Sequence, residues 1–168
     1  MIRVDIETII MAQGAVPSVI VLRERKQSDA SDAPRRALSI QTGAVEAAAV
    51  SRGIGGRERG PRPITHDLMV DMLSALDAKV ERVEINRVDA PTFFASIVLA
   101  DDRKTEHKVD SRPSDALALA VRSNAPIYVE DDVMNRAGSL SLHSTEEDPQ
   151  QELERFDRFV ETLSPDDF

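Results

Sequence analysis

The 168-residue sequence contains no cysteine and no tryptophan, a single tyrosine and five phenylalanines. Without thiols there is no disulfide, zinc–thiolate centre, iron–sulfur cluster or cysteine nucleophile. Phe93 and Phe94 fall on one predicted strand, one facing in and one out, so no row of rings is set up for stacking successive bases. Long apolar runs are missing too. The longest, Ala116–Val121, has six residues, against the ~20 that a membrane-spanning helix requires. The opening MIRVDIETII interleaves acids with its apolar residues, unlike a secretory leader, so a cytoplasmic protein with no membrane association is expected. Histidine is sparse and scattered at 66, 107 and 143, without the H-x-x-x-H or H-x-H spacing of a zinc site. Neither a G-K-[ST] phosphate loop nor a G-x-S-x-G nucleophile elbow is present.

What the chain does have is 41% apolar and 30% charged residues, enough apolar surface to build a core and too much for a disordered chain. Taken whole, its net charge of −9 argues against a generic nucleic-acid binder, which carries a basic stripe. The charge is uneven, however: +2 over residues 1–60, −4 over 61–137 and −7 over 138–168. The acidity is mostly a tail, and the body is close to neutral.

Period-2 alternation at Ile2, Val4 and Ile6 predicts a half-buried first strand, with further strands over Val16–Leu22 and Ala37–Gln41 flanking the polar loop Lys26–Arg36. Thr42–Val50 predicts a helix capped by Thr42 or Gly43 and closed by the glycines that begin at Gly53. A second helix starts from Thr65 as N-cap, with Leu68, Met72 and Leu76 stacked on one face. Strands follow around Val80–Val88, Thr92–Ala100 and Arg103–Val109, the last two joined by a turn at Asp101-Asp102. Pro113 then opens a third helix that is apolar almost all round, hence buried, and Asn124 with Pro126 ends it. A short strand over Pro126–Val129 and a short helix over Asp131–Ala137 complete the body. The expected fold is α+β, a mixed and largely antiparallel sheet with packed helices. Residues 1–138 form the domain, and 139–168 are an acidic linker and an amphipathic helix carrying Leu153, Phe156, Val160 and Leu163.

Three stretches stand out: G-A-V-E-A at Gly43–Ala47, R-P-I-T-H-D-L at Arg62–Leu68, and D-S-R-P-S-D-A-L-A-L-A at Asp110–Ala120, followed by A-P-I-Y-V at Ala125–Val129. In order and spacing they resemble the bifunctional nuclease domain, a family named for cleavage of both DNA and RNA. The resemblance covers roughly Met1–Gly138. It implies a nuclease of low sequence specificity, with DNA and RNA as substrates.

Phosphodiester hydrolysis needs the attacking and leaving oxygens stabilised and a base for the water. Within the matching motifs, Glu46, Asp67, Asp110 and Asp115 are the candidate carboxylates and His66 the candidate acid–base, its ordinary titration lying near neutrality. Asp110, Asp115 and Glu46 are the candidate ligands for a divalent ion, magnesium or manganese. Arg112, Arg62 and Arg52 are candidate phosphate contacts, together with Arg57 and Arg59. Each has a plainer role available. Glu46, Asp67 and Asp115 all fall in the first turn of a predicted helix, where an acid gains ~0.3–1 kcal/mol from the helix dipole. Arg112 can also pair with Asp110 or Asp115. Two other function classes therefore stand beside the nuclease: a non-enzymatic binding or regulatory module, forming a homo-oligomer, in which the motif residues are structural, and a small-ligand binder using the Arg52–Arg62 loop.

Overall fold

The computed structural model describes residues 1–140 apart from 13, 15, 26–34, 57–59 and 61. The alternating N-terminal segment and the two β-rich runs after it pair as antiparallel strands β1 (Ile2–Ile10), β2 (Ser18–Glu24) and β3 (Arg36–Thr42). Register sets Ile20 opposite Ile40 and Leu22 opposite Leu38, so one face of this ribbon is aliphatic and buried. The chain continues through α1 (Ala44–Gly53), a 3-10 turn (Ile54–Gly56), α2 (Thr65–Ala75), β4 (Lys79–Asp89), β5 (Thr92–Ala100) and β6 (Glu106–Ser111). It closes with α3 (Pro113–Ser123), β7 (Ile127–Val129), α4 (Asp131–Ala137) and β8 (Ser139–Leu140).

The strands form one sheet in the order β6-β5-β4-β7-β1-β2-β3-β8. Only β4 and β7 run parallel, linked through β5, β6 and α3, and the remaining neighbours are antiparallel. The fold is α+β, as expected from the interleaving of helices with hairpins. Because α4 packs on both β3 and β4, which β7, β1 and β2 separate, the sheet curls around its core. No helix among the described residues is long and apolar enough to cross a membrane.

At the centre of that core lies α3. Pro113 takes the first helical position, where its missing N–H costs nothing, and Asn124 stops the helix at φ 51° in the left-handed region. Ala116, Leu117, Ala118, Leu119 and Ala120 are each at most 2% exposed. Leu117 and Leu119 alone contribute ~1.5–3 kcal/mol apiece by burial. Gly53 lets α1 approach α3 closely: a Cβ there would overlap Val121 and lie 2.8 Å from the Arg122 guanidinium. Among the glycines that follow α1, Gly55 takes the expected left-handed conformation, at φ 77°.

Helix α2 departs from its sequence pattern. Its N-cap is Ile64, with Thr65 already helical. The stripe Leu68, Met72 and Leu76 is 50%, 57% and 74% exposed, while Asp67 is buried and Val70 and Leu73 are partly packed. Arg122 of α3 is the reason, since its guanidinium bonds to Asp67 and sets the rotation of the helix. Leu68 sits about 100° further round and is carried outward with its stripe. At the other end of the body, Ser139 and Leu140, which the pattern assigned to the linker, pair with β3 as β8. The helix expected over Leu153–Leu163 lies outside the described residues.

Candidate functional site

Three helices begin with the same local device. Glu46 in α1, Asp67 in α2 and Asp115 in α3 each occupy the third helical position, where a carboxylate faces the free amides and the positive end of the helix dipole. Their partners differ, and the site follows from that difference.

Asp115 and Glu46 share one guanidinium. Arg112, the N-cap residue of α3, places Nε 2.8 Å from Asp115 Oδ2 and Nη2 3.2 Å from Oδ1, a two-pronged contact. Its Nη1 donates to Glu46 Oε1 at 3.2 Å, which ties the start of α3 to the start of α1. On the other side of Asp115, His66 Nε2 lies 3.2 Å from Oδ1. The run His66–Asp115–Arg112–Glu46 is thus continuous. A ring that donates from Nε2 to the carboxylate leaves Nδ1 as the atom free to take a proton. Burial by itself pushes the Asp115 carboxyl up, but hydrogen bonds from Arg112 and His66, together with their charge, outweigh it and hold the group below its ordinary range.

Arg112 and Glu46 open onto a cleft of about 380 Å³ that Thr42, Gly43, Phe93 and Ser114 also line. Two helix N-termini, those of α1 and α3, therefore meet at its wall, and neither has a side chain bonded to its cap. Glu46 folds back over Gly43, so a Cβ there would displace the Glu46 carboxylate. Amides, a dipole end and an arginine in one concavity are the means by which proteins bind phosphate oxygens.

The other candidates lie elsewhere. Asp67 is 11% exposed at its side chain and receives Arg122 Nε at 2.7 Å, while its Oδ2 accepts the Ile64 backbone N–H at 3.2 Å. Arg122, only 5% exposed, also donates to the carbonyls of Ala49 and Ala118. This is a clamp binding α1, α2 and α3 into one body. Asp110 stands in register with Ser96, which is itself opposite Glu84, on the sheet face turned away from α2 and α3. It does not join Glu46 and Asp115. Arg52 is exposed in the last turn of α1, about 9 Å along the axis from Glu46, and Arg62 is exposed ahead of α2. Arg57 and Arg59 lie outside the described residues.

A three-carboxylate centre built on Asp110, Asp115 and Glu46 is consequently not assembled. Among the described residues no group of three or more His, Asp or Glu side chains gathers in a way that could hold a metal ion. Glu46 and Asp115 form a two-carboxylate set, which suits magnesium or manganese only where substrate phosphate and water complete the shell.

Two features escaped the sequence reading. Arg122 had a signal, because a cation on a helix that is otherwise apolar all round must find a buried partner. Phe93 on the cleft wall had none, since its arrival there depends on how the β4–β5 hairpin lies over α3.

Comparison with known proteins agrees with the motifs. Two uncharacterized proteins of Mycobacterium tuberculosis, from strains CDC 1551 / Oshkosh and ATCC 25618 / H37Rv, are each 40% identical over 138 residues. Each match covers 79% of this chain and 81% of the relative. The family model for the bifunctional nuclease domain matches residues 20–141, a span that holds α1, α2, α3 and the whole His66–Asp115–Arg112–Glu46 run. On that match, with the three motifs converging on one end of the fold, the chain belongs to the bifunctional nuclease domain family.

Proposed function

We propose that this chain hydrolyses phosphodiester bonds in DNA and RNA with low sequence specificity, at the cleft where α1 and α3 begin. The observation that carries the reading is Arg112, an exposed guanidinium set between two helix N-termini and linked through Asp115 to a histidine. Family membership supports the nuclease class. The substrate phosphate exchanges with a carboxylate on Arg112 and takes amide donors from the helix starts. Asp115 fixes the His66 ring, and His66 moves the proton, an arrangement typically worth 10²–10⁴ in rate. Glu46 and Asp115 against the single Arg112 leave an excess of negative charge. When bound between these carboxylates and the substrate, magnesium or manganese would offset that charge and polarise the phosphate.

The rival reading is a non-enzymatic module in which Arg112, Glu46 and Asp115 only hold α1 to α3. Labelled single- and double-stranded DNA and RNA, incubated with magnesium, with manganese and with EDTA, separate the two. Wild type cleaves, and Arg112→Ala, His66→Ala and Asp115→Asn lose about 100-fold or more while keeping native circular dichroism. Full activity in all three folded variants removes this site, and an inert wild type removes the enzyme. Cleavage that persists in EDTA rests the reaction on His66 and Arg112 alone.

A further inference from the structure

The apolar residues that α2 turns outward do not face open water alone. Met69, Met72, Leu73 and Leu76 form one wall of a groove of about 230 Å³, and Ile97, Leu99, Val109 and Leu119 line the rest. Val109 belongs to β6, which pairs only with β5 among the described residues and so ends the sheet with an open edge. Leu68, Met69, Met72, Leu76 and Val109 together expose roughly 500 Å² of apolar surface, near the top of the 300–600 Å² that a monomer shows in one patch. An open edge beside such a patch is a surface that natural proteins normally cover or blunt.

The edge strand reads Glu106-His107-Lys108-Val109-Asp110-Ser111; its charges are self-complementary between two antiparallel copies, and the groove-lining Val109, rather than His107, sets the centre. We infer that this face binds a second copy of the chain, with the two β6 strands antiparallel about a two-fold axis through Val109. In that register Val109 meets Val109 of the other copy, and each Lys108 lies opposite an Asp110. Shifting the centre to Lys108 would oppose the two lysines and set Glu106 against Asp110. Period-2 geometry puts Lys108 and Asp110 on one face of the sheet and Val109 on the other, which is the face bearing the groove. The same register therefore forms the ion pairs on one side of the sheet and brings the two α2 stripes together on the other. Lys108 already donates to Glu84 at 2.7 Å and, with an exposed ammonium, keeps donors for a second carboxylate, whereas Asp110 has no side-chain partner among the described residues. Doubled, the patch supplies about 1,000 Å² before the strand backbones are added, at the roughly 1,000 Å² threshold that a specific interface has to clear. The joined sheet has sixteen strands, eight from each copy.

The absence of cysteine makes the register directly testable. Facing residues of antiparallel strands have Cα atoms about 4.5–5.5 Å apart, within reach of a disulfide. Full-length Val109→Cys should cross-link to a dimer under mild oxidation, and Asp110→Cys, displaced from its own copy in this register, should not. In light scattering the wild type should give twice 18.5 kDa. Met72→Glu with Leu76→Glu should give a monomer with an unchanged far-ultraviolet spectrum, and Asp110→Lys should weaken the dimer at least tenfold. Phe156→Glu with Val160→Glu, on the apolar stripe of the chain's own acidic tail, should leave the mass unchanged. A monomeric wild type overturns the inference, as does a dimer indifferent to the α2 substitutions, one that dissociates on the tail substitutions, or equal cross-linking at 109 and 110.

Discussion

Replacing Arg122 by methionine tests whether Asp67 belongs to the scaffold or to the chemistry. The Arg122 side chain is 5% exposed and makes one charged hydrogen bond, to Asp67 at 2.7 Å, and two to the backbone, to Ala49 at 2.9 Å and Ala118 at 2.8 Å. Methionine fills much of the arginine stem, so little cavity is opened and the cost is mainly electrostatic. Breaking a buried ion pair from one side costs about 3–5 kcal/mol. Asp67 keeps the Ile64 backbone contact, which places the expectation near the lower bound, about 3 kcal/mol. With a urea slope of roughly 1–3 kcal/mol per molar, the unfolding midpoint should fall by about 1–3 M. Asp67→Asn preserves the oxygen that accepts the Ile64 N–H and removes the charge, so combining it with Arg122→Met should recover part of the loss. A coupling of 1 kcal/mol or more is expected from the four-way cycle. Cleavage per folded molecule should be unchanged in every variant. Additive losses, a cost under 1 kcal/mol for Arg122→Met, or activity lost in a fully folded Asp67→Asn would refute the clamp.

Gly53→Ala sets two effects of known size against each other. Alanine gains at most ~1 kcal/mol of helix propensity over glycine, but its Cβ overlaps Val121 and crowds Arg122 at 2.8 Å and 3.3 Å, and overpacking costs about 1–3 kcal/mol, so thermal unfolding should show a net loss. Acid stability should follow Glu84. Burial pushes its carboxyl up, yet hydrogen bonds from Lys108 and Arg82 outweigh this and hold it below its ordinary value of 4.5. A group with a depressed folded-state pKa stabilises above the unfolded value and loses that contribution as pH falls through the folded one. Glu84→Gln should therefore lower the urea midpoint at pH 7, and the gap to wild type should close as pH falls below the ordinary value of 4.5; a gap that stays constant on acidification refutes the assignment.

The fold was legible where hydrophobic period and backbone chemistry act alone. Pro113 and Asn124 bound α3 because one lacks an N–H and the other accepts positive φ, and neither depends on what packs outside. The rotation of α2 was not legible. Its apolar stripe predicts burial, whereas the face turned inward carries Asp67, paired with Arg122 on another helix 55 residues away in sequence. Asp110 fails for a related reason. Standing two residues before Arg112 places it in the same motif, but strand period turns it to the opposite face of the sheet from the groove-lining Val109. Motif membership therefore did not establish membership of the site.

The first-turn acids show where sequence stops and structure begins. Glu46, Asp67 and Asp115 are equivalent locally, each an acid at the third position of a helix. What separates them is the exposure of the arginine they meet. Arg122 is desolvated and already bonded to two carbonyls, so exchanging Asp67 for another anion would strand charge in the interior at a cost of several kcal/mol. Arg112 is 65% exposed, so solvent screens its contacts to Asp115 and Glu46 in a way that the buried Arg122 pair is not screened. In the proposed function a phosphate displaces a carboxylate from Arg112 at correspondingly small cost and takes donors from the amides at the starts of α1 and α3, where no side chain is bonded to the cap. The solvent-screened pair is the exchangeable one, which is why the proposed phosphate contact falls to Arg112 rather than to the buried Arg122.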